Sequence, residues 1–112
     1  MISANKWTHL GICFDLGHLF HGFENHQLAY AEFIKIHKKN LAAILLNVKE
    51  FHIHDSDGAN DHLKLGRGTL DFKFLANIFL KSTQHPIILE VELQNYAKES
   101  QQQLMYLRSF LE

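Results

Sequence analysis

Glu50-Phe-His-Ile-His-Asp-Ser-Asp-Gly-Ala-Asn-Asp-His-Leu-Lys-Leu-Gly-Arg-Gly68 is the stretch on which the fold of this chain turns. Its first five residues alternate, with Glu50, His52 and His54 on one side and Phe51 and Ile53 on the other, which is the two-residue period of a β-strand. From Asp55 the alternation gives way to a polar run punctuated by glycine, and irregular stretches of this length in a domain are usually functional. The stretch carries His52, His54 and His62 together with Asp55, Asp57 and Asp61. Side chains able to hold a cation therefore stand where a strand runs out into a loop.

Two further stretches repeat that design. Residues 11–15 form a short apolar run ending in Asp15-Leu-Gly-His18, and Pro86 opens Ile87-Ile-Leu-Glu-Val-Glu92. Between the strands the period lengthens. Residues 26 to about 40 place Leu28, Ala31, Ile34 and Leu41 at helical spacings, with Glu32, Lys35, Lys38 and Lys39 on other faces. Residues 42–46 read either as a last helical turn or as entry to the strand over 48–54. A helix is expected over 72–81, with Phe72, Leu75, Ile78 and Phe79 on one side, and another over about 97–110 with Ser100, Leu104, Leu107 and Leu111 as its buried stripe. Residues 1–10 read as an arriving segment and 21–25 as loop. Strand, helix, strand, helix, strand, helix is the pattern of a parallel sheet covered by crossover helices, so the fold class is α/β.

Length and composition narrow the function. The 112 residues make one domain or part of one, with no linker dividing residues 1–112. A net charge of −1 gives no electrostatic case for nucleic acid or an anionic membrane. No apolar run approaches the roughly 18 residues of a membrane span. The single cysteine, Cys13, excludes an intrachain disulfide and points to a reducing, cytoplasmic setting. Nine histidines are many for this length; His9, His21, His26, His37 and His85 read as ordinary surface residues. Only the others cluster with carboxylates at strand ends.

Parity connects the three ends. Cys13 and Asp15, then Glu50, His52 and His54, then Ile88, Glu90 and Glu92 each share one face of their strand, opposite a large apolar face. Asp15, His52 and Glu90 thus fall near C-terminal strand ends with the same parity, where parallel α/β folds place their chemistry. Two carboxylates and an imidazole suit a divalent cation with N/O ligands: Zn²⁺, Mn²⁺, Co²⁺ or Mg²⁺. The same groups would equally make a hydrogen-bonded core, and spacing does not choose between these readings.

At these residues the chain resembles the xylose isomerase-like TIM barrels, a superfamily of sugar (phosphate) isomerases and epimerases and of the endonuclease IV group. The resemblance rests on Asp15-Leu-Gly-His18, on His52-Ile-His-Asp55 followed by Asn60-Asp-His62 and Leu65-Gly-Arg-Gly68, and on Leu89-Glu90. It implies that these βα units are the last three of a (β/α)₈ barrel, so that the chain is a partial barrel. It also implies metal ligation by Asp15, His52 and Glu90, and contact with substrate or a further metal by His18 and His62. Substrate binding by His54 and Arg67, and catalytic roles for Glu90 and His18, follow from the same likeness. In the isomerases of this superfamily the metal polarises a sugar carbonyl or hydroxyl while two glutamates move a proton between carbons; Glu90 would be one of the pair.

Two positions depart from the pattern. Asn60 stands where the endonuclease group has an aspartate two residues before its histidine, which argues against the phosphodiesterase alternative and against nucleic acid as partner. Arg67 stands where the isomerases often have an acid, and reads equally as a holder of substrate phosphate or hydroxyls and as a surface substitution. A complete barrel needs about 200 residues or more, so the expectation is a portion, inactive alone, that acts on a sugar or sugar phosphate once a complementing N-terminal chain supplies the missing strands. A non-catalytic homo-oligomeric remnant of the barrel is the remaining alternative.

Overall fold

The three alternating stretches pair as their period dictates. A computed structural model describes residues 10–19 and 26–112, with side chains of the second helix described from Tyr30 onward. The arriving segment before Leu10, the loop expected over 21–25 and the Leu28 side chain lie outside the described residues. Strands β1 (Ile12–Asp15), β2 (Val48–Ile53) and β3 (Ile87–Leu89) form one parallel sheet in the order β1-β2-β3. Asp15 is level with His52, and His52 with Ile88, after a register shift between Ile12 and Cys13. The architecture is α/β, with each strand followed by helix.

One face of the sheet is apolar and covered. Phe51 and Ile53 are buried, and Phe14, Ile87 and Leu89 pack beside them. Burial of such a side chain is worth roughly 1.5–3 kcal/mol, so these few residues settle which face turns inward. The covering layer includes a helix that starts as α4 (Phe72–Leu75) and continues as a π-helical turn over Ala76–Leu80. From it come the buried Leu75 and Phe79, and the Phe79 ring lies 5.5 Å from that of Phe14. Cys13, Asp15, Glu50, His52, Ile88 and Glu90 take the opposite face.

Several expected boundaries move, each for a local reason. The third strand ends at Leu89 rather than Glu92: β2 itself ends at Ile53, whose carbonyl accepts the Glu90 N–H at 3.0 Å as the last rung. The first long helix is α2 (His26–His37), and the turn over 38–40 separates it from α3 (Leu41–Leu46), so residues 42–46 are helical. Among the described side chains of α2 Tyr30 is buried, while Ala31 is exposed and Phe33 and Ile34 are half-buried. Tyr30 stacks on Phe74 at 4.5 Å, and its hydroxyl accepts the Asp71 N–H at 2.7 Å. Asp71 in turn caps α4 by accepting from the Phe74 N–H.

The last helix, α5 (Tyr96–Leu111), is capped by Asn95, whose side chain accepts the Lys98 N–H. Its buried residues are Gln103 and Leu107, and Leu111 packs half-buried on the core as expected; Leu104 is 43% exposed and Ser100 half-buried, so Gln103 takes the inward place expected of Leu104. Among the described residues no helix is long and apolar enough to cross a membrane.

Candidate functional site

The polar face gathers its donors at the C-terminal ends of the strands, and each is set by its own element. Asp15 is the last residue of β1 and stands directly before α1 (Leu16–Leu19). Its Oδ1 accepts the backbone N–H of His18 at 3.0 Å, and its Oδ2 lies 2.7 Å from His18 Nδ1. The other His18 nitrogen, Nε2, meets Asp61 Oδ2 at 2.7 Å. The fully buried Leu16 anchors this turn. Asp15-Leu-Gly-His18 is therefore a local clasp that fixes an imidazole between two carboxylates.

At the end of β2, His52 and His54 point to the same face and reach different depths. The Nδ1 of His52 contacts Glu90 Oε1 at 2.5 Å, and its Nε2 is hydrogen-bonded to Glu50. His54 is fully buried under Gly17, where an added Cβ would stand 2.2 Å from the His54 ring. Its Nδ1 accepts the His62 N–H at 2.9 Å. Its Nε2 lies 3.2 Å from Asp15 Oδ1, yet has no hydrogen-bond partner of good geometry among the described residues.

The loop after β2 is ordered by Asp55. A two-bond bridge joins the backbones of Asp55 and Leu63. The nearly inaccessible Asp55 carboxylate accepts the N–H groups of Ser56, Gly66 and Leu70 at 2.8, 2.8 and 3.2 Å. This brings His62 back over the strand ends, where its ring stacks on His54 at 4.3 Å and meets His18 edge-on at 5.0 Å. Donor atoms of His18, His54 and His62 all lie within 4.8 Å of one another. Asn60 is turned away from them: its backbone and side-chain N–H groups donate to Asp57. Arg67 is exposed on the same loop and lines, with Asp61, His62, Lys64 and Glu92, a cavity of about 360 Å³.

The electrostatics follow from these contacts. The hydrogen bond to Asp61, then that to Asp15, outweighs burial and raises His18 above the usual imidazole value. Burial opposes the charge of Asp15, but the backbone and ring hydrogen bonds of His18 prevail and hold its carboxyl low. Bonds from His18 and His62 bring Asp61 down to about 2. Burial disfavours charge on His52, yet Glu50 and Glu90 together raise it. The site is a set of alternating carboxylates and imidazoles that favours positive charge.

A sequence profile of the xylose isomerase-like TIM barrel family matches residues 1–110, almost the whole length. The chain belongs to that family. Neither the curated proteins nor the solved structures compared gave a match. The parallel βα order is that of part of a TIM barrel.

Within this family framework, the ligand set the resemblance implies is divided between two clusters. His52 and Glu90 are in contact, whereas Asp15, one strand away and level with His52, faces His18 and His54. His18, His54 and His62 come together, and Arg67 lies beyond them on the loop. Sequence reasoning gave no role to Glu50, though its spacing of two from His52 on a strand was the signal that puts both on one face. It also did not see Asp55 as the residue that holds the loop.

Proposed function

We propose that this chain supplies the last three βα units of a divalent-metal site for isomerising or epimerising a sugar or sugar phosphate. The observation that carries the reading is that carboxylates and imidazoles from all three strand ends share one face, with Asp15 level with His52 and Glu90 against His52. The donor set fits a cation: each of these imidazoles lies between or beside carboxylates that already favour positive charge. Asp15, His52 through Nδ1, and Glu90 would hold Mn²⁺, Zn²⁺, Co²⁺ or Mg²⁺, and the remaining His52 nitrogen keeps Glu50 as its acceptor. When bound, the ion supplies Lewis-acid polarisation of a carbonyl or hydroxyl oxygen.

The chain's own residues would do the rest. His18, raised above the usual imidazole value, is held by Asp15 at Nδ1 and would give its Nε2–H to a sugar oxygen by exchanging the bond to Asp61 for one to substrate. Glu90 is the group placed to carry a proton between neighbouring carbons. Arg67, beside the 360 Å³ cavity, takes the phosphate or hydroxyl end of the substrate. A substrate enclosed by a barrel needs walls beyond those that these three strands provide, so turnover requires further strands.

The test is calorimetric titration of the purified chain with Mn²⁺, Zn²⁺, Co²⁺ and Mg²⁺, beside an Asp15→Asn variant, followed by water-proton relaxation of the Mn²⁺-loaded chain as sugars and sugar phosphates are added. The expected result is saturable binding weakened in the variant, and a relaxation change with at least one sugar class. Metal binding without any sugar response would favour a non-catalytic remnant. No binding above the variant would overturn the reading. The chain alone is expected to show no isomerisation above a Glu90→Gln control.

A further inference from the structure

Below the strand-end cluster, one side-chain layer closer to the strand starts, lies a second donor set with a different composition. Cys13 and Glu50 are level across the β1–β2 ladder, two residues before Asp15 and His52 on the same face. Cys13 Sγ is 3.8 Å from Glu50 Oε1, and the same carboxylate oxygen is bonded to His52 Nε2. Donor atoms of Cys13, Glu50 and His52 all lie within 4.8 Å of one another. Neighbouring ligands of a tetrahedral ion with bonds of about 2.0–2.3 Å stand roughly 3.3–3.6 Å apart. Small side-chain rotations close the difference. The Cys13 residue is exposed and Glu50 half-exposed, so both can make them.

The support behind His52 is already in place. A ligating imidazole characteristically donates its second N–H to a carboxylate, which fixes tautomer and ring plane. Glu90 Oε1 stands 2.5 Å from His52 Nδ1 and meets that requirement when Nε2 faces the ion. One sulfur, one nitrogen and one carboxylate oxygen, with a fourth position open towards solvent, suit Zn²⁺ or Co²⁺ and disfavour Mg²⁺, which takes oxygen ligands.

We propose that Cys13, Glu50 and His52 form a thiolate-containing site for a thiophilic divalent cation, with Glu90 as the acceptor that orients His52. Loading releases the thiol proton and the proton shared by His52 and Glu50 to solvent, leaving thiolate, imidazole nitrogen and carboxylate on the ion. This site needs no sugar chemistry. It shares His52 with the function proposed above but uses the opposite ring nitrogen, so the two arrangements exclude one another at a given moment. Soft ions favour the lower layer, and hard ions favour Asp15 and Glu90.

The experiment is a Co²⁺ titration of the reduced chain, followed by the thiolate-to-cobalt charge-transfer band and by the rate at which Cys13 reacts with a thiol reagent with and without saturating Zn²⁺. The band should appear, Zn²⁺ should slow the thiol reaction, and Mg²⁺ should do neither. Cys13→Ser should lose the band while keeping the far-ultraviolet circular dichroism of the parent, since Cys13 is exposed. Asp15→Asn should keep both band and protection; this variant separates failure here from failure of the sugar-site reading, which requires Asp15. A band absent from the parent, or undiminished thiol reactivity under Zn²⁺, would overturn the proposal. So would loss of the band in a folded Asp15→Asn chain.

Discussion

His62 donates its backbone N–H to the buried Nδ1 of His54 across 2.9 Å, and it does so from a left-handed backbone with φ of +53°. A non-glycine residue seldom adopts that region without compensation. Here the hydrogen bond is the compensation, because Nδ1 of a fully buried imidazole would otherwise lack a donor. The Asp55 carbonyl also lies 3.2 Å from Nδ1 and would take a proton from it, but the His62 N–H is nearer, so Nδ1 accepts and the ring proton falls to Nε2, 3.2 Å from Asp15 Oδ1. One loop residue thereby sets the tautomer of one histidine and, through it, the surroundings of the first strand's carboxylate. Nitrogen-15 NMR of the imidazole rings should show His54 with a bare Nδ1 and a protonated Nε2 at neutral pH. The opposite tautomer would mean that His62 is held in its unusual conformation by something else.

Gly17 is the roof over that ring. An alanine Cβ there would meet Nε2, Cε1 and Cδ2 of His54 at 2.2–2.3 Å. The ring is fully buried and tethered at Nδ1, so it cannot swing aside without losing the bond to His62. Gly17→Ala should therefore destabilise the chain by roughly 1–3 kcal/mol, the ordinary cost of overpacking. Urea unfolding read by circular dichroism measures it. A neutral substitution would show that α1 lifts away from β2 at little cost.

Asp55 looks like a ligand in the sequence but acts as the keystone of the loop. Its carboxylate accepts three backbone N–H groups, and an added Cβ at Gly68 would come within 2.4 Å of its Oδ1. Gly66 donates to it from a φ of +92°. Both glycines of Leu65-Gly-Arg-Gly68 thus have a steric or conformational reason. Asp55→Ala leaves buried donors unmet and should cost about 3 kcal/mol or more, with Asp55→Asn milder because one oxygen remains. If Asp55 were a cation ligand instead, metal affinity would fall in Asp55→Asn with little change in unfolding.

Strand faces were legible in the sequence, and side-chain partners were not. Alternation in Glu50-Phe-His-Ile-His54 sets the inward pair Phe51 and Ile53, and the same parity brings Asp15 level with His52. Parity says nothing about rotamers, however. Asp15 is drawn to His18, three residues on, by the start of a helix that the alternation of residues 11–15 does not announce. The third strand stops at Leu89 although its alternation runs to Glu92, because a strand continues only while its neighbour offers rungs. Among the described side chains of α2 the buried one is Tyr30, held by a hydroxyl partner on a segment far along the chain, which no local period reports.

Acid should loosen the junction of loop and final helix. Glu99 accepts from Lys64 Nζ at 2.5 Å and from the N–H groups of Gln94 and Asn95, and these bonds, the one to Lys64 foremost, hold it down at about 2. A carboxyl lowered on folding adds stability above its unfolded value of 4.5, and that stability is lost as pH falls through about 2. Stability of the parent should therefore decline across this window more steeply than that of Glu99→Gln, which has no proton to take up there. Unfolding midpoints in urea at a series of pH values test this. Parallel profiles for the two chains would remove Glu99 from the acid response.

Gln103 makes the same junction from below. It is the inward polar residue of α5, its Oε1 accepts the Leu65 N–H at 2.6 Å, and its Nε2 lies 3.5 Å from the Leu65 carbonyl. A glutamine in place of an expected leucine stripe reads as a defect on periodicity alone; physically it satisfies a buried backbone pair that a leucine would strand. Gln103→Leu adds apolar burial but orphans the Leu65 N–H, so a net loss of about 1–3 kcal/mol is expected. Gln103→Glu should keep the N–H bond and set a carboxylate against the Leu65 carbonyl, so its deficit should shrink as pH falls and the carboxyl becomes protonated. Urea unfolding of both variants at pH 7 and pH 5, together with exchange of the Leu65 amide, decides the matter. A Gln103→Leu chain as stable as the parent, with the Leu65 amide still protected, would mean that the loop is held by Asp55 alone.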